Sequence, residues 1–365
     1  MKVAVGLSGG VDSSVSAHRL VEAGHEVTGV FLECWRAPGC RAEEDRKDAL
    51  NVALELGIPF QVLDFKQAYR DRVVEIFFED YKRGLTPNPD IWCNTEIKFG
   101  LFYDWAMENG FDAIATGHYA QIYEKNGRKV LARGKDRKKD QTIFLHRLTQ
   151  EQLDHVLFPI GDLEKGEVRA EAHERGIIVA DKPDSQGICF IGDIDVRDFL
   201  RERLGEKPGD VLDTEGNIVG RHQGVWFYTI GQRHGFELFP KIHTARKEWK
   251  HVLPPLYVIS KDADANTITV GYGAETLENE VLVRDVFLRD PDVAARLRQQ
   301  DSFAVAVRIR HGGKTLAGTF GWEERDESTA KITLEEAQRG VAPGQALVLY
   351  DAEDAEVCLG GAYIC

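Results

Sequence analysis

The residues best suited to chemistry come early in this chain. An apolar stretch, Val3–Leu7, runs into Ser8-Gly9-Gly10-Val11-Asp12-Ser13-Ser14, and an amphipathic segment follows. A strand that turns into a helix through two glycines and three hydroxyls presents backbone N–H groups and serine Oγ atoms at a helix N-terminus, which makes a site for phosphate. Turn chemistry alone also permits a plain tight turn with Ser and Asp as caps. A third reading is open, because Gly6-Leu7-Ser8-Gly9-Gly10 satisfies the G-x-S-x-G elbow of serine hydrolases. That reading leaves Asp12 and Ser13 without a task and puts the elbow on the first strand, with no earlier strand to bear an oxyanion-hole loop. Phosphate binding ranks above it. Residues 308–315 end like a P-loop but carry Arg308 where that motif needs glycine.

Six cysteines, at 34, 40, 93, 189, 358 and 365, form no C-x-x-C pair and no zinc-finger spacing. Cys93 and Cys189 lie in polar, turn-rich stretches that would leave a thiol accessible. Cys34, Cys358 and Cys365 read as packing residues. Cys34 and Cys40 flank a short loop after the second strand, where an extra relay thiol or a cluster ligand is an open reading. His118, just after a strand, reads on its own as a structural hydrogen-bonder.

The 365 residues carry 46 Lys and Arg against 60 Asp and Glu, a net charge of −14, which argues against coating nucleic acid by global attraction. Any such partner must use a local patch. The stretch from Lys125 to Arg147, with nine Lys and Arg against two Asp, is the candidate. Apolar runs reach only five residues, far short of a membrane span, and the N-terminus lacks a signal-peptide core, so a cytoplasmic protein is expected.

The elements that must position these residues alternate over the first 120 positions. Short apolar runs at Val3–Leu7, Val27–Leu32, Pro59–Phe65 and Phe111–Thr116 read as buried parallel strands. Between them Asp12–Ala23, Ala42–Leu56, Lys66–Arg83 and Ile97–Asn109 read as helices, each closed by glycine. Asn126-Gly127 marks a hairpin, and Gln150–Leu157 and Glu167–Glu174 read as helical. The fold class expected is α/β: an N-terminal doubly wound parallel sheet over residues 1–204, a small β-rich middle domain over 205–279 with Val225–Ile230 as one strand, and a C-terminal β-barrel over 280–365.

Ser8 to Ser13 resembles the PP-loop of the ATP pyrophosphatases, which cleave ATP between its α and β phosphates and leave AMP on a substrate carbonyl. With Thr86-Pro87-Asn88-Pro89-Asp90-Ile91-Trp92-Cys93-Asn94, Ala115-Thr116-Gly117-His118-Tyr119, Lys139-Asp140-Gln141, residues 184–192 around Cys189, and Thr229-Ile230-Gly231-Gln232-Arg233, the whole chain resembles the tRNA-specific 2-thiouridylases. The two prolines would stiffen a non-helical segment that holds Asp90 and Cys93 in place. The resemblance implies ATP, with Mg²⁺, held by Gly6, Leu7, Ser8, Gly9, Gly10, Val11, Asp12 and Ser13, with Leu32 and Gly117 beside the adenosine. It implies that Asn88, Pro89 and Asp90 meet the target base, that Asp90 and Cys93 are catalytic, and that Cys189 carries a persulfide loaded by a sulfur donor and later joins Cys93 in a disulfide. It assigns tRNA contacts to His118, Lys139, Asp140, Gln141, Arg310, His311 and Gln345. The stretch after Arg233 departs from the family's glycine-rich continuation and leads into basic residues from Lys241 to His251. A serine hydrolase and a non-catalytic tRNA-binding protein are the rival readings.

Overall fold

The structure is a computed structural model that describes residues 1–36, 40–184, 195–239, 255–300, 302–323 and 329–365. Cys189 and the basic stretch from Lys241 to His251 lie outside the described residues. Five strands, β1 (Lys2–Gly6), β2 (Glu26–Glu33), β3 (Phe60–Asp64), β4 (Ala113–Ala115) and β7 (Val156–Leu157), form a parallel sheet in the order β3-β2-β1-β4-β7. Val3, Ala4 and Val5 are wholly buried, as expected of a sheet covered on both faces. Helices α1 (Val11–Glu22) and α2 (Ala42–Leu56) follow β1 and β2, and Gly57 closes α2 at φ 65°. The strand order reverses between β1 and β4, so a crevice opens at their carboxyl ends, where such sheets bind ligands.

The helix expected over Gln150–Leu157 stops at Asp154, and Val156 and Leu157 instead pair with Ile114 and Ala115 as the edge strand β7. Val225–Phe227 is a single 3₁₀ turn rather than a strand, because Gly224 at φ 149° turns the chain and Asn266 Oδ1 accepts the Val225 N–H.

The middle sheet comprises β8 (Gly209–Leu212), β9 (Ile218–His222), β10 (Glu237–Leu238), β11 (Leu256–Asp262) and β12 (Thr267–Tyr272), in the order β10-β9-β8-β12-β11. Its Val211, Val258 and Ile268 share one core with Tyr69, Phe77 and Phe78 of the N-terminal unit. The third sheet holds β13 (Leu277–Leu288), β14 (Phe303–Arg308), β15 (Leu316–Trp322), β16 (Thr329–Arg339), β17 (Ala346–Asp351) and β18 (Val357–Ile364), closed into a barrel by β13 pairing with β18. β13 begins at Leu277, so the barrel starts before residue 280. The Asn-Gly hairpin, β5 (Ala120–Lys125) and β6 (Arg128–Arg133), joins this sheet through Val357–Ala132 and Cys358–Leu131. The first and last units therefore share a hydrogen-bonded sheet that sequence order hides.

A buried pair locks the same junction. Arg308 of β14 and Asp140 have no exposed surface, and the guanidinium meets the carboxylate directly. Nearby His146 is wholly enclosed, donates from Nδ1 to the Ile143 carbonyl at 2.9 Å, and is pushed by burial down to about 3. The unfolded chain takes up a proton near pH 6.5 that the native imidazole refuses, so stability falls as pH drops from about 6.5 toward 3, by about 1.4 kcal/mol per unit for each such histidine. Urea midpoints should therefore decline across that window, and His146→Gln should make the decline shallower. An unchanged slope in the variant would exclude His146 as its source.

Candidate active site

The turn after β1 is built by its own small side chains. Ser13 Oγ donates to the Gly10 carbonyl at 3.1 Å and accepts the Ser8 N–H at 3.2 Å. Gly9 adopts φ +74°, and a Cβ there would lie 2.2 Å from the Asp45 carbonyl oxygen, so only glycine lets α2 approach this closely. No side chain caps α1, whose first N–H groups open onto the turn. Gly117, after β4, packs against the same turn from the other side of the crevice. A Cβ at Gly117 would sit 2.7 Å from the Ser13 nitrogen and 2.8 Å from the Asp12 carbonyl carbon, both backbone atoms. Gly117→Ala should therefore raise the KM for ATP at least tenfold and lower the melting temperature as well, because backbone atoms of the turn must move to admit the methyl group. An unchanged KM would remove this close approach from the nucleotide site. Ser8 Oγ lies 3.1 Å from Ser13 Oγ, and among the described residues no histidine hydrogen-bonds to it, so the hydrolase reading gains nothing from the structure.

Two lysines that the sequence reading did not single out, Lys165 and Lys182, converge on this turn. Lys165 donates to both Asp12 carboxylate oxygens, at 2.7 and 2.9 Å, and Tyr119 donates its hydroxyl to Asp12 Oδ1 at 2.7 Å. Lys182 reaches the Gly9 carbonyl at 2.9 Å and Asp45 at 2.7 Å. Asp184 collects Lys139, Lys165 and Arg169. Burial works to raise the Asp184 carboxyl, but hydrogen bonds from Lys139 and Lys165 outweigh it and hold the group well below the usual carboxylate range. Burial and then the Asp12 charge push the Tyr119 phenol far up, so it stays a donor. The sequence offered little signal for these roles, since the Lys165–Asp12 contact spans 153 residues.

The segment after Thr86 is helical from Pro89, contrary to the expectation of a stiff non-helical loop. Asn88 Oδ1 accepts the Asp90 N–H at 3.1 Å as an N-cap, and Pro89 takes the first helical position, where its missing N–H would go unused. The helix continues with wider π-type turns over Cys93–Leu101. Asp90 and Cys93, three residues apart, share one face. Asp90 is half-buried, whereas Cys93 is only 2% exposed, inside the cluster that also takes Cys34, Trp35 and Phe65. The accessible-loop expectation for Cys93 is thereby corrected: the helix turns the thiol inward, against the carboxyl ends of β2 and β3. Of the remaining thiols, Cys358 is buried as expected, but Cys365 is exposed, and Cys34 and Cys40 are half-buried. Among the described residues no group of three His, Cys, Asp or Glu side chains could hold a metal.

The remaining candidates divide. Gly6 ends β1 beside Thr116, and Leu32 is half-buried on β2. His118 is enclosed, with Nδ1 2.7 Å from Thr116 Oγ1 and its ring against Phe99 and Phe158, and burial holds its pKa well below the ordinary value. Asp140 is wholly buried, binding Arg308, the Gly134 N–H and Thr142. Both are buried in this structure, Asp140 wholly. Gln141 accepts the Tyr119 N–H at 2.9 Å. Arg310 and His311 are exposed on the barrel, with the His311 ring 5.0 Å from Phe144. The basic segment is also less open than its composition implied: Lys125, Arg128, Lys135, Arg137 and Lys139 pair with carboxylates brought from elsewhere in the chain, and Arg133 pairs with Asp140 of the segment itself.

Comparison with known proteins places the chain among tRNA-modifying enzymes. Residues 1–193 match the family described as tRNA methyl transferase HUP domain, 197–272 its PRC-barrel domain, and 283–364 the aminomethyltransferase beta-barrel domain. The chain is 40% identical to a Staphylococcus aureus (strain bovine RF122 / ET3-1) protein named tRNA-specific 2-thiouridylase MnmA. It is 41% identical to tRNA-specific 2-thiouridylase MnmA 1 of Geobacillus kaustophilus (strain HTA426). Each alignment covers all of this chain and 95% of the relative.

Proposed function

The chain belongs to the tRNA-specific 2-thiouridylase family, and we propose that it exchanges the C2 oxygen of the wobble uridine of tRNA for sulfur by adenylating that oxygen and then delivering persulfide sulfur. The observation that carries this reading is placement: the turn after β1 lies at the carboxyl end of the sheet, and Cys93 packs with Cys34, Trp35 and Phe65, the residues that directly follow the carboxyl ends of β2 and β3. An amide-like oxygen is a poor leaving group, and AMP is a good one. The helix N-terminus, Ser8 and Ser13, with Lys165 and Lys182 at hand, suit the phosphates of ATP. Gly117 and Leu32 border the crevice where the adenosine would lie. A Mg²⁺ ion that arrives with ATP needs only one or two protein carboxylates, and Asp12 is placed to supply one. Bound there, it would neutralise charge on the leaving pyrophosphate.

Asn88, Pro89 and Asp90 would face the flipped uridine, with Arg310, His311, Lys139 and Gln141 on the surrounding surface for the tRNA. Cys189 would carry the persulfide received from a donor protein. It stands five residues past Asp184, which shares Lys165 with Asp12, and five residues of extended chain span at most about 18 Å. A cytoplasmic setting fits a tRNA substrate, and among the described residues no helix is long and apolar enough to cross a membrane.

The test supplies unmodified tRNA, ATP, Mg²⁺ and a persulfide donor, and measures pyrophosphate release together with 2-thiouridine by mass spectrometry of the digested tRNA. Pyrophosphate release that needs tRNA, matched by thiolated position 34, is expected. No tRNA-dependent pyrophosphate would overturn the reading.

A further inference from the structure

The three domains meet on a single peptide, that of Thr86, two residues before the turn proposed to face the target base. Thr86 is buried, so its backbone groups need protein partners. Both come from the barrel loop between β16 and β17. The Thr86 N–H donates to the Pro343 carbonyl at 2.7 Å, and Gln345 Nε2 donates to the Thr86 carbonyl at 2.5 Å. The Thr86 hydroxyl reaches Thr229 Oγ1 of the middle domain at 3.4 Å. The loop that supplies these groups is itself held, because Ile364 of β18 donates to the Gln345 carbonyl at 2.9 Å and Gly344 donates to the Ile364 carbonyl at 2.9 Å. Gly344 adopts φ +89°, and a Cβ there would lie 2.8 Å from Leu85 Cβ and 2.9 Å from the Thr86 nitrogen, so the approach is as close as the backbones permit.

The far end of the same segment is gripped by the same barrel. Trp92 stacks on Tyr363 of β18 with ring centroids 5.6 Å apart and planes 13° from parallel, and Ile91 packs with Ala346 and Tyr363. Asn88 to Asp90 thus lie between two attachments to one rigid body, with Pro87 stiffening the link from the first.

Building on the thiolation reading, we propose that Gln345 is a positioning residue: its amide, together with the Pro343 carbonyl, clamps the Thr86 peptide and so sets where Asn88 to Asp90 meet the target base. The barrel then tunes catalysis as well as offering tRNA a surface. Gln345 acts through Thr86 instead of through the nucleic acid, which departs from the tRNA contact that the resemblance implied for it. A small displacement of a positioned group costs rate, up to about a hundredfold per ångström, while phosphate contacts that hold the tRNA elsewhere are untouched.

Gln345→Ala removes the donor, and Gln345→Glu keeps the length but sets an acceptor against the Thr86 carbonyl. Both should lower the kcat of tRNA-dependent pyrophosphate release at least tenfold and change the Kd for tRNA less than twofold. Hydrogen exchange of the backbone from Thr86 to Asn94 should quicken in both, with β17 unchanged. A raised Kd with an unaltered rate at saturation would make Gln345 a tRNA contact and overturn the proposal, as would unaltered exchange at Thr86 to Asn94. Should the wild type release no pyrophosphate with tRNA, the functional reading fails by itself, and the exchange measurement still decides the clamp.

Discussion

Cys93→Ser and Cys189→Ser should each abolish thiolation while leaving tRNA-dependent pyrophosphate release within a few-fold of wild type. In the proposed mechanism the terminal sulfur of a Cys189 persulfide would attack the adenylated C2, and AMP would depart with the C2 oxygen, leaving the base joined to Cys189 through a disulfide. The Cys93 thiolate would then attack Cys189 Sγ, that bond would break, the thiolated base would leave with the electron pair, and a Cys93–Cys189 disulfide would remain for an external reductant to open. Peptide mapping after one turnover without reductant should find this bond. A thiolated product with both cysteines still reduced would refute the exchange, and full activity of either variant would remove that residue from the chemistry. The structure adds a condition. Cys93 is 2% exposed among Tyr69, Val73 and Ile97, so its thiol must leave this apolar cluster to react. Alkylation of Cys93 should be slow in the free protein and faster once ATP and tRNA are bound.

Strands β1, β2 and β4 were legible because each is a short apolar run beside helices of strong periodicity, and those signals are local; β3 was placed correctly but is an edge strand with no buried residue, and β7 was missed. Ser8 to Ser13 was legible for the same reason, since the two glycines and the hydroxyls all act within one turn. What escaped depends on contacts distant in sequence. Lys165 and Lys182 gain meaning only when the fold brings them within 2.9 Å of Asp12 and Gly9. The basic look of Lys125 to Arg147 dissolves because Glu167, Asp184, Asp290, Asp354 and Glu356 arrive to neutralise it. Pro89 misled for a different reason: a proline forbids helix interior but favours the first turn, and which holds depends on the Asn88 cap ahead of it. Cys93 followed from that error, because a loop would have left the thiol outside and a helix turns it in.

Asp12→Ala should reduce pyrophosphate release by a factor on the order of 10² to 10³, the range found when a preorganised polar group is removed from a reacting centre, with little loss of fold. The two effects separate because of how Lys165 is held. It is shared between Asp12 and Asp184, at 2.7 and 2.8 Å, so deleting Asp12 still leaves its ammonium a carboxylate partner and avoids the large penalty of a stranded, mostly buried charge. Tyr119 loses one acceptor but retains its place in the core. Catalysis has no such reserve, because Asp12 is the one acidic residue on the turn from Ser8 to Ser14. Lys165→Ala and Lys182→Ala should act on the phosphates instead, raising the KM for ATP as well as slowing release, since both ammonium groups already lie at the turn. Ser13→Ala should behave like Asp12→Ala by a different route: it removes the bonds to Gly10 and Ser8 that shape the loop, so the N–H groups lose their aim. Pyrophosphate release measured with saturating tRNA, beside a thermal melt of each variant, decides the matter. Wild-type release by Asp12→Ala would take the phosphates, and with them the whole adenylation step, away from this turn.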